Sequence, residues 1–146
     1  MSTTQPIRSK QLLHDFKEYY LTKQPNSRNY TLILIGLNTA LRINDILHLT
    51  WGDVYCTEHS RFYTHLLITE KKTEKETRIL INRELQETLL SYRKTQTSIA
   101  DTDYLFPSPR KADSPLSRYQ AYRIVRKAAE AVGIEDVIRC HSLRKT

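Results

Sequence analysis

TALRINDILHLTWGDV, residues 39–54, joins a long apolar segment to a charged one. The preceding run, residues 30–41 (YTLILIGLNTAL), is apolar on nearly every side, which is typical of a helix buried at the centre of a bundle. Residues 43–49 continue as a short predicted helix carrying Asp45, and residues 50–54 (TWGDV) are predicted as a turn into a sheet. Arg42 therefore lies at the junction of two predicted helices, with Asp45 about one turn further along.

Upstream of this junction the chain predicts one more helix. Residues 10–21 (KQLLHDFKEYYL) place their apolar side chains on one stripe, the pattern of an amphipathic helix. The following QPNSRN breaks that pattern and supplies Asn26 or Ser27 as the N-cap of the central helix.

Downstream the period changes from helical to extended. Residues 61–69 (RFYTHLLIT) and 77–81 (TRILI) are rich in β-formers, and the charged segment EKKTEKE lies between them. This arrangement predicts an antiparallel hairpin with a charged connection.

The rest of the chain returns to helix. Residues 83–94 predict one helix, and a loop rich in Pro, Ser and Asp leads to another at residues 117–132, with Ser114 or Ser117 as its N-cap. Gly133 follows at the position expected just past a helix end. The fold class is therefore mainly α with one small antiparallel hairpin or sheet (α+β), in a single domain.

Composition indicates a globular protein that binds a polyanion. The chain has 146 residues, 39% hydrophobic and 27% charged, with no membrane-length apolar run and no signal-peptide pattern. Cys56 and Cys140 are isolated, which indicates reduced thiols and a cytoplasmic location. The formal net charge is +7, and residues 110–146 hold nine Lys/Arg against four acids, so +5 of it lies in the last quarter. Nucleic acid is the first candidate for such a face.

The closing stretch, RCHSLRKT (139–146), carries a pair suited to phosphate. His141 and Arg144 stand three apart, so on a helix they share one face. A guanidinium can donate hydrogen bonds to two phosphate oxygens at once, and an imidazole can donate a further one. The alternative is a terminal helix with solvated basic residues.

Three stretches together resemble the catalytic domain of the tyrosine recombinases, the phage integrase family. The family's first-arginine motif matches Leu41 to Ile46, with Leu49, Trp51 and Asp53 in register; its hairpin lysine, typically followed by Thr, matches Lys72-Thr73; and its HxxR motif matches His141 and Arg144. The order and the intervening elements also agree, and the resemblance covers residues 8–146.

The resemblance implies roles for these residues in DNA strand exchange without a metal ion or any cofactor. Arg42 and Arg144 would clamp the phosphate oxygens, where fixed cations stabilise the charge that develops in the transition state. His141 would contact the phosphate or handle the nucleophile's proton. Asp45 would orient Arg42 from behind.

A hairpin lysine would act as general acid and protonate the leaving 5′ oxygen. Lys72 takes this role by resemblance, and Lys71 is the alternative. Without the motif, both lysines would be interpreted as part of a solvated hairpin tip.

Other residues also have plainer interpretations. Arg42 could satisfy the last carbonyls of the preceding helix, and Asp45 could be an ordinary surface acid. Trp51 is expected in the core. Cys56 and His59 have a C-x-x-H spacing, but no second pair completes a zinc site.

The family's nucleophilic tyrosine lies some tens of residues beyond HxxR, and all nine tyrosines here precede His141. Residues 1–146 are therefore expected to be part of an integrase catalytic domain, without its N-terminal core-binding domain and its C-terminal tyrosine segment. The expected partners are double-stranded DNA and other recombinase protomers. The alternative function is a non-catalytic DNA-binding or regulatory remnant of an integrase.

Overall fold

The computed structural model describes residues 9–69, 73–111 and 113–134, and most of this chain is helical. The prediction of a mainly α fold with small antiparallel sheets is confirmed. The elements, in chain order, are helix α1 (Lys10–Glu18), a π-helical turn (Tyr19–Lys23), α2 (Ser27–Thr39), α3 (Ile43–Leu47), α4 (Trp51–Val54), strands β1 (Tyr55–Cys56), β2 (Arg61–Phe62), β3 (His65–Thr69) and β4 (Glu76–Leu80), α5 (Arg83–Lys94) and α6 (Arg118–Ala131).

Helix α2 forms the centre of the core, as its all-round apolar sequence predicts. Leu32, Ile33 and Leu34 are fully buried on consecutive positions, so more than one side of the helix is covered. The covering elements are α1, the π-helical turn, α3 and α5. Burial of apolar surface on several sides is the main source of stability in such a helix, because intrinsic helix propensity is a weak term.

Side-chain caps define where three of the helices begin. The side chain of Asn26 accepts a hydrogen bond from the backbone of Asn29, so α2 begins at Ser27, directly after this cap. Asn82 caps α5 in the same way, and Ser117 caps α6 within a capping box closed by Gln120. Of the alternative caps proposed from the sequence, Asn26 and Ser117 are therefore the ones used.

The segment TWGDV, predicted as a turn into a sheet, contains a single helical turn, α4, that leads directly into β1. Thr50 and Asp53 form a capping box, which satisfies backbone N–H groups at the start of α4. Trp51 belongs to the core, as expected, with 2% of its surface exposed.

The strand region forms two sheets, where the sequence predicted one continuous strand over residues 61–69. Strand β1 pairs with β2, and β3 pairs with β4 in a separate antiparallel ladder from His65↔Leu80 to Thr69↔Glu76. The break has a local cause, because the backbone N–H of Tyr63 donates to the Val54 carbonyl at 2.8 Å and the Thr64 carbonyl accepts from Ile81 at 2.8 Å. These bonds turn the chain between the two ladders.

The long connection between α5 and α6 contributes to the core, although its composition predicted only a loop. Leu105 and Phe106 are fully buried. The hydroxyl of Tyr92 donates to the Leu105 carbonyl, and the backbone N–H of Gly52 donates to the Asp101 carbonyl at 2.8 Å. None of the helices in the described part of the chain is long and apolar enough to cross a membrane.

Candidate nucleic-acid interface

Arg42 lies in a tightly shaped junction between α2 and α3. Helix α2 ends at Thr39, and Ala40 adopts a left-handed conformation with φ 54° and ψ 23°. The Thr39 hydroxyl donates to the Ile35 carbonyl at 2.6 Å and accepts from the backbone of Leu41 at 3.3 Å. The chain is thereby turned and fixed over the three residues before Arg42, which then begins α3 as its N-cap in an extended conformation.

The backbone at Arg42 is held from both sides while its side chain reaches solvent. Leu41 and Ile43 are buried, whereas Arg42 is exposed. Among the described residues, Arg42 donates no side-chain hydrogen bond to the last carbonyls of α2 and forms no ion pair. Within the described residues, its guanidinium is thus not used by the helix end.

Asp45 lies in the first turn of α3, half-buried, about one turn from Arg42. A carboxylate at this end of a helix is favoured by the exposed N–H groups there. The described residues contain no ion pair between Asp45 and Arg42. An orienting effect of Asp45 on Arg42 stays a prediction.

Four other predicted site residues lie outside the described residues. Lys71 and Lys72 fall between Thr69, where β3 ends, and Thr73. His141 and Arg144 lie beyond Ile134. The predicted convergence of these four side chains with Arg42 therefore stays a prediction.

Helix α6 presents a stripe of cations and one aromatic ring to solvent. Its inner face buries Ala121, Val125 and Ala128 against the core. The opposite face carries an exposed stripe at four-residue spacing, here called the α6 stripe: Tyr119, Arg123 and Lys127. Tyr119 is 67% exposed, and the Arg123 guanidinium lies 6.0 Å from its ring centroid.

The cations of α6 differ in how far they are already neutralised. Arg126 donates from Nε to Glu130 Oε1 at 2.6 Å and from Nη1 to the Tyr122 hydroxyl at 3.1 Å. The hydrogen bond to Glu130 raises the pKa of Arg126 above its usual value. Arg123 and Lys127 form no ion pair within the described part of the chain, so their charge is free to attract an anion.

An open groove of about 670 Å³ runs between α6 and the segment 24–29 that leads into α2. Arg28 adds a further cation from the α2 side, and its Nε donates to Asn29 Oδ1 at 2.9 Å. The lining of the groove includes the cations Arg28, Arg123, Arg126 and Lys127, the acid Glu130, and the rings of Tyr20 and Tyr119. Sequence reasoning did not assign Arg28 to this surface, because no spacing pattern links it to residues of α6.

The base of the groove is held by a buried phenol. The Tyr20 hydroxyl donates to the Ile124 carbonyl at 2.7 Å, tying the π-helical turn to α6. Burial raises the pKa of Tyr20 to about 12, so this group stays neutral in the physiological range. The described residues contain no cluster of three or more His, Cys, Asp or Glu side chains that could hold a metal ion.

Two sequence comparisons relate this chain to known proteins. The profile of the Phage integrase family matches residues 5–146. A relative from Bacillus subtilis (strain 168), named "Probable integrase/recombinase YoeC", is 44% identical over 146 residues, which is 100% of this chain and 74% of the relative.

Solved structures share the fold at low sequence identity. The XerA recombinase superposes with a TM-score of 0.75 at 21% identity, covering 97% of this chain and 48% of its own. A Tn1549 transposon integrase in complex with transposon right-end DNA has a TM-score of 0.70 at 17% identity, with 100% and 52% covered. Lambda integrase (residues 75–356) bound to DNA has a TM-score of 0.68 at 16% identity, with 99% and 50% covered. The chain spans about half the length of these solved chains.

Proposed function

This chain belongs to the phage integrase family, and on that premise we propose that it acts in site-specific DNA recombination or integration, by cleavage and rejoining of the DNA backbone. The observation that carries the proposal is the state of Arg42. The family's first-arginine motif ends in an exposed guanidinium without an ion-pair partner among the described residues, mounted on a backbone whose neighbours are buried. The backbone that carries this cation is fixed, which helps to place a guanidinium at one phosphate.

In the proposed reaction, a hydroxyl oxygen attacks the phosphorus of a DNA phosphodiester and the 5′ oxygen leaves. Arg42 and Arg144 stabilise the charge on the non-bridging oxygens, and His141 contacts the phosphate or takes the nucleophile's proton. Lys72, or Lys71 in its place, protonates the leaving oxygen. Asp45 orients Arg42. We assign the attacking hydroxyl to no residue of these 146, since each of the nine tyrosines precedes the HxxR motif.

The DNA-binding part of the proposal rests on α6 and its groove. Tyr119, Arg123 and Lys127 combine an aromatic face with two unneutralised cations on one rigid helix, and Arg28 extends the positive surface across the groove. Cations placed along one surface bind the DNA backbone by releasing its counterions. Two of the structural relatives are described as bound to DNA, and a lambda integrase tetramer as bound to a Holliday junction. We propose duplex DNA, with other protomers on the same DNA, as the partners of this chain.

The binding proposal is tested by the salt dependence of duplex binding. The triple variant Arg28→Ala, Arg123→Ala, Lys127→Ala should lower the slope of log K against log salt by about 0.9 for each phosphate that it no longer neutralises, so by up to about 2.7. The matched control removes three exposed cations from other elements: Lys10→Ala, Arg83→Ala, Lys94→Ala. It should change the slope much less. Equal effects of both variants would show an unlocalised charge effect, and no binding at low salt would end the proposal.

The catalytic part is tested with the 146-residue chain and duplex or nicked DNA carrying its site. We expect no protein–DNA adduct that survives a denaturing gel, because cations and a general acid do not supply the attacking oxygen. Addition of a tyrosine-bearing segment in trans should then restore cleavage, whereas a remnant that only binds DNA would stay inactive. An adduct formed by the chain alone, mapped to one of its tyrosines, would overturn the assignment.

A further inference from the structure

Two asparagines join the segment that carries Arg42 to the base of the β3–β4 hairpin. The side-chain amide of Asn82 donates from Nδ2 to Asn38 Oδ1 at 2.7 Å, across 44 residues of sequence. Asn38 lies in the last turn of α2, four residues before Arg42. Asn82 lies two residues after β4 ends at Leu80 and is the N-cap of α5.

Both amide groups are held in one orientation by a second hydrogen bond. Asn82 Oδ1 accepts from the backbone of Leu85 at 2.9 Å, and Asn38 Nδ2 donates to the Leu34 carbonyl at 2.9 Å. Rotation of either amide by 180° would place like groups against each other and break two bonds. Both residues are half-buried, so an unmade bond would also leave a polar group partly shielded from water.

The inner face of the hairpin packs against the core through Leu66, which is 2% exposed, whereas its outer face is open to solvent. Leu67 and Leu80 are 60% and 57% exposed on the outer face of the ladder. At its base, by contrast, Ile81 is buried and its N–H donates to the Thr64 carbonyl. Among the described residues of the hairpin, the end next to Asn82 is therefore anchored by both a buried side chain and a backbone hydrogen bond.

On the α2 side of the Asn38–Asn82 hydrogen bond, the chain leads to Arg42 within four residues. From Asn38 the chain passes through Thr39, with its two side-chain hydrogen bonds, and through Ala40 in its left-handed conformation. The backbone torsions in this path are restrained, so a shift at Asn38 is carried to the backbone of Arg42.

We propose that Asn38 and Asn82 are positioning residues that fix Arg42 relative to the β3–β4 hairpin, so that both meet one stretch of DNA backbone in a single geometry. This inference rests on the proposed role of Arg42 at a DNA phosphate. It predicts energetic coupling between Asn82 and Arg42, although only Arg42 would touch the DNA.

The test is a double-mutant cycle on duplex affinity, with Asn82→Ser and Arg42→Ala. Serine keeps the N-cap of α5 and removes only the amide that reaches Asn38. Asn82→Ser should weaken binding by about three- to tenfold in the presence of Arg42 and by much less in its absence. Asn38→Ala alone should weaken binding as much as Asn82→Ser does. The combination of the two substitutions should weaken binding little further. If circular dichroism shows that one variant folds poorly, the other still tests the proposal.

Gln86→Ala provides the matched control. Gln86 also uses an amide at the hairpin base, donating to the Ile81 carbonyl at 3.2 Å, but this bond does not reach α2. Its effect should be additive with that of Arg42→Ala. Additive behaviour of Asn82→Ser, with clearly weaker binding from Arg42→Ala, would overturn the positioning role and leave the proposed function standing. Unchanged binding by Arg42→Ala would instead refute the role of Arg42 itself.

Discussion

Arg42 and Lys127 are both exposed cations, but the backbone beneath them is built in different ways. Arg42 follows a left-handed residue and two side-chain hydrogen bonds, and it stands between the buried side chains of Leu41 and Ile43. Lys127 occupies a regular helical position beside Ala128. The first site is specified by many interactions, and the second by helix periodicity alone.

This difference matches what each cation would have to do. A group that stabilises charge on one phosphate must be placed to within a fraction of an ångström, so it needs a determined backbone. A group that attracts the DNA backbone over a long surface needs only charge and exposure. We therefore expect substitutions around the junction to act on stability, and substitutions in the α6 stripe to act on DNA affinity. In the described part of the chain every buried side-chain N or O has a hydrogen-bond partner. We therefore expect few substitutions at the junction to leave the stability of the fold unchanged.

The largest effect should come from removing packing beneath the junction. Leu34→Ala should lower the free energy of unfolding by about 2–5 kcal/mol, because the side chain is fully buried in α2 and its removal leaves a cavity. Urea denaturation measures this change. Leu90→Ala on α5, where the leucine is 42% exposed, is the control and should cost under about 1 kcal/mol. Equal costs would show that α2 is not the centre of the core.

A glycine in each region sharpens the comparison. A Cβ at Gly52 would lie 3.0 Å from the Asp101 carbonyl oxygen and 3.2 Å from its Cβ, so Gly52→Ala should destabilise by about 1–3 kcal/mol. Gly133, after α6, has open space but a φ of +85°, so Gly133→Ala should cost about 1 kcal/mol through backbone strain alone. Thermal unfolding of both variants measures this difference. A lower melting temperature for Gly133→Ala than for Gly52→Ala would contradict it.

The left-handed residue at the junction predicts a gain in stability. Ala40→Gly should stabilise by about 0.5–1 kcal/mol, because glycine adopts φ 54° without the Cβ penalty. The same substitution at Ala131, an exposed position in the last turn of α6, should destabilise by up to about 1 kcal/mol. A higher denaturant midpoint for Ala40→Gly and a lower one for Ala131→Gly would support the left-handed conformation of Ala40. A lower midpoint for both variants would refute it.

One effect should be absent at neutral pH and appear only at alkaline pH. Burial raises the pKa of Tyr20 and of Tyr92 from 10.0 to about 12. A raised pKa in the folded state means that stability is fully present below pH 10 and declines as the pH rises from about 10 to about 12. Tyr20→Phe and Tyr92→Phe should each reduce this decline in melting temperature. An unchanged profile in the double variant would mean that other groups cause it.

The sequence predicts those parts of the fold that depend on local pattern. Helix α5 is predicted over the observed residues, and the burial of α2 and Trp51 follows from apolar composition. The bond between Asn38 and Asn82 and the contribution of Arg28 to the groove arise from residues brought together by tertiary packing, which no local spacing encodes. The break between β2 and β3 likewise depends on a bond from Tyr63 to Val54.

For the candidate site, the motif predicts roles for Arg42 and Asp45, which stay predictions, but it did not predict the conformation around them. Ala40 occupies a position where a glycine would have signalled a left-handed turn. Within the described residues, Arg123 and Lys127 form no ion pair, whereas Arg126 is paired with Glu130 and bonded to Tyr122. This difference depends on the directions of the Glu130 and Tyr122 side chains. Helical spacing places cations on a face, but it does not show which of them are already paired.

The π-helical turn at Tyr19–Lys23 has a consequence for how this family tolerates insertions and deletions. A π turn closes its hydrogen bonds over one residue more than an α turn, so it absorbs one extra residue within a continuous helix. Tyr20 within it is tied to Ile124 of α6, which fixes the end of the turn in space. A homologue one residue shorter here would keep the same anchor by forming an ordinary α turn. Alignments should therefore place a single-residue gap within residues 19–23 more readily than in α2.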